Sequence, residues 1–140
     1  MSASQAFSSV NQAARSGLLN FPALRNSLNR ANITEFLLHG VRYAFPAHRG
    51  ALTPGIPNAY AAPPLNEMLT QSSEPPPGWP HAQGSARGME LSPLYKTAPK
   101  AAQQDSKLYE FLALVDSIGG GRVREPEIAV GELSARIDSQ

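Results

Sequence analysis

The 140-residue chain has no cysteine. That excludes a disulfide framework and any thiolate nucleophile or ligand, and it fits a reducing, cytoplasmic setting. Charge is sparse: Asp, Glu, Lys and Arg together make up 16% of the residues, and the formal net charge is +1. No global basic field draws the chain to nucleic acid or anionic lipid, so any such contact must come from a local patch. No apolar run approaches the ~18 residues that a spanning helix needs, and no membrane partner is expected. The N-terminus carries neither a basic leader nor an apolar core of the signal-peptide type.

Catalytic signatures are missing as well. Gly-x-Ser-x-Gly does not occur. Gly119-Gly120-Gly121-Arg122 has no preceding strand and no Gly-Lys-Ser/Thr after it, so it reads as a helix break rather than a phosphate loop. His39, His48 and His81 lie far apart in sequence, and zinc wants four close ligands of suitable type, so neither a metal nor any other cofactor is expected. Glu67, Glu74, Glu90, Asp105, Glu110 and Asp116 form no paired-carboxylate pattern. Glu110 and Asp116 read as solvated helix positions. The expectation is a protein that is not an enzyme.

What the chain does have is helical sequence at both ends and proline in the middle. Residues Ser2 to Ser16 read as a helix with Ser2 or Ser4 as N-cap and Gly17 as the left-handed C-terminal residue. Phe7, Val10 and Ala14 recur at helical spacing. A connector with Pro22 as a breaker leads to a second helix, Asn29 to His39, with Ile33, Phe36 and Leu37 on one face and Gly40 as its stop. Val41 to Phe45 reads as a strand from its β-branched and aromatic content, and Ile56 to Pro64 as a second strand running back beside it. Eleven prolines fall between Pro46 and Pro99. They suggest a long extended arm with an exposed polyproline stretch at Glu74 to Pro80, anchored by Trp79, Leu91, Leu94 and Tyr95. A third helix carries Leu108, Phe111, Leu112 and Val115, and a last one runs from Pro126 to Ile137. Phe36, Leu37, Tyr43, Leu112 and Val115 are the expected core.

The N-terminal stretch from Ser2-Ala3-Ser4-Gln5 to Ala14-Arg15-Ser16-Gly17-Leu18-Leu19 resembles the recognition helix of bacterial helix-turn-helix regulators. Together with Leu37 to Pro46, Gly55 to Pro64 and Trp79-Pro80, it is similar to MarR-like winged regulators, some of which act as antitoxins beside a toxin partner. The resemblance implies an α+β, mainly α fold: a partial winged helix-turn-helix over 1–48, a proline-rich irregular arm over 49–103 and a C-terminal helical segment over 104–140. It implies DNA as partner, with a toxin protein or a second copy as further candidates. Gln5, Ser8, Ser9, Gln12 and Arg15 would meet the duplex, since short hydroxyls, amides and arginine hydrogen-bond to base edges and phosphates. Arg42, His48 and Arg49 would contact phosphate beside them. The bracing helix of such a motif is not present ahead of Met1, so the chain reads as N-terminally shortened. Phe7 and Val10 then have to pack on Ile33, Phe36 and the C-terminal helices. The competing class is a protein-interaction module that wraps a partner through Pro75 to Trp79 and the C-terminal helices.

Overall fold

In the computed structural model, residues 2–20, 27–69, 74–120 and 124–139 are described. Pro22, Ser72 to Ser73 and Gly121 to Val123 lie outside them. The fold is α+β and mainly helical, with one small sheet.

Helix α1 (Ala3–Arg15) starts where the sequence says it should. Ser2 and Gln5 form a reciprocal capping box: Gln5 N donates to Ser2 Oγ at 3.2 Å, and Ser2 N donates to Gln5 Oε1 at 2.8 Å. Two orphan amides of the first turn are thereby satisfied. At the other end Gly17 adopts φ +83°, and Leu18 N donates to Ala13 O while Gly17 N donates to Ala14 O. This left-handed cap closes the last turn at no steric cost, because glycine has no Cβ to clash. No residue of α1 is buried, and Phe7 is 69% exposed. Phe7 and Val10 therefore do not pack as expected, and the body of the protein is built without them.

The second helix runs further than its sequence suggests. Asn29 caps α2 (Arg30–Glu35), which passes through a π-helical turn (Phe36–Gly40) into α3 (Val41–Ala44). Gly40 is thus not a stop, and Val41 to Phe45 is not a strand. The missing side chain at Gly40 makes room for the Phe36 ring, which a Cβ there would meet at 2.9 Å. Val41 falls four residues after Leu37 and eight after Ile33, so helical spacing keeps one row on the core. Val41 is 5% exposed, whereas Tyr43, on the other side of the helix, is 75% exposed with the Arg42 guanidinium 4.9 Å from its ring centroid. The burial gained by Val41 outweighs the β-propensity of the segment, which is a weak preference.

The proline-rich middle is not an irregular arm. It folds into three strands: β1 (Arg49–Pro57), β2 (Pro77–Pro80) and β3 (Ala86–Leu91). β1 pairs antiparallel with both others, Ile56 opposite Trp79 and Thr53 opposite Gly88. β2 and β3 close the ring by a short parallel contact, Gly78 opposite Glu90. The segment expected to run back, Ile56 to Pro64, instead ends β1 and turns into a 3₁₀ turn (Ala59–Ala61) and α4 (Leu65–Met68). Such a narrow ring needs backbones in direct contact. A Cβ at Gly88 would stand on the Pro76 carbonyl oxygen, and one at Gly55 on the Trp79 carbonyl oxygen. Pro57, Pro77 and Pro80 sit at strand ends, where a missing amide hydrogen costs the ladder least. The Glu74 to Pro80 stretch is accordingly not an exposed polyproline: Gly78 and Trp79 are buried.

Helix α5 (Ala98–Gln104), α6 (Ser106–Gly120) and α7 (Arg124–Asp138) complete the chain. α6 is apolar on two sides. One side puts Leu114, Val115 and Ile118 with Val41, Leu65, Ala129, Leu133 and Ile137 in the main core. The other puts Tyr109 and Leu112 against Ile56, Trp79 and Ala102. Of the expected core, Val115 is buried, Phe36, Leu37 and Leu112 are half-buried at its margin, and Tyr43 is outside it. Arg136 on α7 reaches Glu110 at 3.3 Å and Glu132 at 2.6 Å, so Glu110 ties two helices together rather than standing free in solvent.

Candidate functional site

The sheet and α6 do not touch everywhere. Between them lies a cavity of about 330 Å³. Arg49 from β1 and Met89, Glu90 and Leu91 from β3 form one wall. Ala59 and Tyr60 of the 3₁₀ turn, with Glu74, Pro75 and Pro77 ahead of and in β2, form another, and Asp116 of α6 lines it as well. The size is at the lower end of the ~300–1,000 Å³ usual for small-molecule sites, and the apolar walls with a few polar groups match their composition.

Asp116 is the central group. Its Oδ2 accepts from Asn58 Nδ2 at 2.6 Å and from Trp79 Nε1 at 3.1 Å, and Oδ1 takes neither bond. Burial pushes the carboxyl from 3.8 up to about 6, and the two hydrogen bonds only partly offset that rise. Burial disfavours the charged form, while donors directed at the carboxylate favour it. Here burial dominates. The sequence reading of Asp116 as a solvated helix position is therefore corrected: it sits one turn after Leu112 and two after Tyr109, on the side of α6 that faces the sheet.

The partners of Asp116 are themselves fixed. Asn58 is fully buried, with its backbone N–H donating to Pro77 O at 3.0 Å and its backbone carbonyl accepting from Ala61 N at 3.0 Å. Its Oδ1 has no hydrogen-bond partner among the described residues. Ala59, next in the chain, holds φ +51°. A left-handed alanine costs roughly 1–2 kcal/mol, and such residues concentrate where geometry serves a site. Trp79 is 1% exposed, and its ring centroid lies 5.8 Å from that of Tyr109. The Tyr109 hydroxyl donates to Pro57 O, and burial raises its pKa. Glu90 is placed by a glycine: a Cβ on Gly50 would come within 2.6 Å of Glu90 Oε2.

The residues expected to contact DNA lie on α1, on α3 and at or just before the start of β1. Gln5, Ser8 and Ser9 line an open cleft with Tyr95, and Ser9 and Gln12 line another with Asn32, Glu35 and His39. Arg15 is exposed at the C-terminal end of α1. Arg42 lies on α3 beside Tyr43. His48 extends the β1–β3 ladder, its N donating to Ser92 Oγ and its O accepting from Ser92 N, both at 2.9 Å. Arg49 opens β1 and lines the cavity. Asp116, Asn58 and Trp79 are not among these expected residues. Among the described residues no three His, Asp or Glu side chains come together as a metal site. No described helix is long and apolar enough to cross a membrane.

Compared with protein-family models, with curated proteins and with solved structures, the chain matches none of them.

Proposed function

We propose that this protein is a small-molecule binding module whose site is the cavity between β3, the 3₁₀ turn and α6. The observation that carries this reading is Asp116: a largely buried carboxyl lining a cavity and held by two buried donors, Asn58 and Trp79. Keeping an ionisable group in such a place costs stability, and perturbed groups in clefts gather at functional sites. The fixed Asn58–Ala59 turn adds to it, because a site needs its polar groups held in place before the ligand arrives.

The test uses the single tryptophan, Trp79. Its indole touches Asp116, so an occupant of the cavity should alter its emission. A fragment library is screened by protein amide NMR against the wild type, where Trp79 emission is also followed, and against Met89→Trp, which puts a bulkier side chain on the cavity wall. The expected result is a set of fragments that bind the wild type, shift amide signals around Glu90 and Asp116, and lose binding in the variant. Fragments that bind both proteins alike would remove the cavity from consideration.

DNA binding through α1, with β1 and β3 in the place of a wing, is a second reading. What favours it is that α1 is fully capped, unburied, and free of acidic residues, with Arg15 in its last turn. The two readings are compatible, since a ligand cavity and a DNA-contacting helix together make an effector-responsive regulator.

A further inference from the structure

We propose that α1 is a pairing helix, whose outer face docks antiparallel on α1 of a second copy of this chain. The inference is independent of the cavity. α1 is amphipathic, but it is mounted the wrong way round for a helix that packs on its own protein. Ser4, Gln5, Ser8 and Ser9 line the cleft beside Tyr95, and Ser9, Gln12 and Ser16 line the one beside α2. These polar residues share one side of the helical period. Ala3, Phe7, Val10 and Ala14 fall on the other side, and Phe7 and Val10 are exposed. The helix is nonetheless anchored. Asn32 Nδ2 donates to Gly17 O at 2.8 Å and Asn29 N to Leu18 O at 2.9 Å, which ties its C-terminal end to the start of α2. The apolar row is thus held out from the body on a capped helix.

The spacing of the row defines the surface that covers it. Steps of four, three and four residues make a heptad seam, narrow enough for one partner helix. Charge and size then select a second copy. The residues flanking the seam, Ser4, Ala6, Asn11 and Ala13, carry no charge, and Arg15 is the only charged residue of α1. Flanking charges select a partner and an orientation, and their absence lets this face meet itself without repulsion. In an antiparallel pair the two Arg15 side chains lie at opposite ends, about 20 Å apart along the axis. The helix ends brought together carry dipoles of opposite sign. By size the row reads small, bulky, bulky, small: Ala3, Phe7, Val10, Ala14. It reads the same from either end. A two-fold axis between Phe7 and Val10 therefore sets Phe7 on the partner's Val10 and Ala3 on the partner's Ala14, the self-matching that an isologous contact requires. One seam about 20 Å long buries well under the ~800 Å² per partner of a stable complex, so the dimer is reversible and forms at high concentration.

Sedimentation velocity of the full chain, from micromolar to millimolar concentration, should show a monomer passing into a dimer. Phe7→Lys and Val10→Glu should each stay monomeric, because a charge then stands at the centre of the seam. Both should keep the helical circular dichroism of the wild type, since neither position is buried. Mixed in equal amounts, the two variants should regain the dimer. The antiparallel register sets the introduced lysine against the introduced glutamate and leaves Phe7 on Val10 in the other half. The chain has no cysteine, so Ala3→Cys and Ala14→Cys each supply a single thiol. Oxidised separately with diamide, neither should crosslink, because like positions lie about 16 Å apart along the axis, beyond the ~7 Å reach of a disulfide. Oxidised together, they should give the mixed dimer.

A wild-type chain that stays monomeric throughout overturns the proposal. So does a dimer that Phe7→Lys and Val10→Glu leave intact, since the contact then lies elsewhere. Ala3→Cys crosslinking to itself means parallel pairing and overturns the proposal too. Charge variants that remain monomeric when mixed do the same, because Phe7 and Val10 then do not face each other across a two-fold axis.

Discussion

The side-chain amide of Asn58 donates to Asp116 Oδ2 at 2.6 Å, joining the turn after β1 to the middle of α6. The bond crosses from sheet to helix and lies beside the cavity, so the state of Asp116 is linked to both stability and binding. Its carboxyl titrates near 6 in the folded chain and at the ordinary 3.8 when exposed. A raised acid value means that the folded state holds the proton more tightly than the unfolded one. The protonated form's stabilisation is therefore fully present below about 3.8 and is lost as pH rises through about 6. The loss amounts to about 3 kcal/mol at most. Urea denaturation across that window should show stability falling with rising pH from this group, and Asp116→Asn should flatten the slope. Trp79 emission should titrate with the same midpoint in the wild type and not in the variant. A wild-type emission curve without a transition between about pH 4 and 7 would show that the carboxyl is not buried as described.

Leu114 is fully buried in the main core, whereas Leu112 is half-buried against the smaller cluster of Ile56, Trp79 and Ala102. Leu114→Ala should cost roughly 2–5 kcal/mol, through lost transfer energy plus the cavity left behind. Leu112→Ala should cost clearly less, because partial exposure lets water or neighbours fill the gap. Chemical denaturation of the two variants decides it. Equal losses would mean that the sheet side of α6 is packed as tightly as the α7 side.

The parts of this fold that were legible in the sequence are those set by local chemistry. Ser2 was legible as an N-cap candidate, Gly17 as a left-handed cap, and the two C-terminal helices by their spacing. Of the expected row on α6, however, only Val115 is buried in the main core, with Phe111 packed against it, Leu112 on the sheet side and Leu108 exposed. The sheet was not legible. Its strands are rich in proline and glycine, residues that argue against strand in general, and are tolerated here because strand ends and backbone-to-backbone contacts need them. Val41 to Phe45 reads as a strand because Gly40 looks like a stop, whereas the missing side chain at Gly40 clears space for Phe36 and the helix continues through Ala44. Asp116 carries a sequence signal of its burial. It shares a face with Tyr109 and Leu112, and a helix apolar on both sides has no wholly solvated face to offer a carboxylate. Asn58 and Trp79 had none, since their meeting with Asp116 depends on long-range closure of the ring.

Two glycines should respond in opposite directions to the same change. Gly88 lies in β3 with the Pro76 carbonyl oxygen where a Cβ would go, and backbone on both sides leaves little room to yield. Gly88→Ala should destabilise by roughly 1–3 kcal/mol. Gly131 lies exposed in the middle of α7 with nothing within 4 Å of an added Cβ. Gly131→Ala should stabilise by about 0.5–1 kcal/mol, because alanine is the better helix former and restricts the unfolded chain. Thermal melts of both variants suffice. A Gly88→Ala protein as stable as the wild type would mean that the three strands are not closed on one another.

Helix α1 offers the sharpest test of DNA binding. Its polar side chains stand at the edge of open clefts, and nothing on it is buried, so substitutions at Gln12 and Arg15, away from the Ser2–Gln5 cap, should leave stability within about 0.5 kcal/mol. Any loss of DNA affinity is then a loss of contact rather than of fold. If α1 enters the major groove, Gln12→Ala should cost roughly 1–3 kcal/mol on the preferred site and far less on random DNA, because an amide reads base edges. Arg15→Ala should weaken both alike and lower the salt slope by about one, because one fewer counterion is released. The measurement is a mobility shift at stated salt, on DNA selected from a random pool. Adding a fragment found to bind the cavity to the same reactions asks whether the cavity and α1 communicate. A ligand that changes DNA affinity must bind free and DNA-bound protein with different strength, and that difference equals the shift. If no DNA in the pool is retarded at low salt, α1 does not bind DNA in this chain, and the cavity stands as its functional site alone.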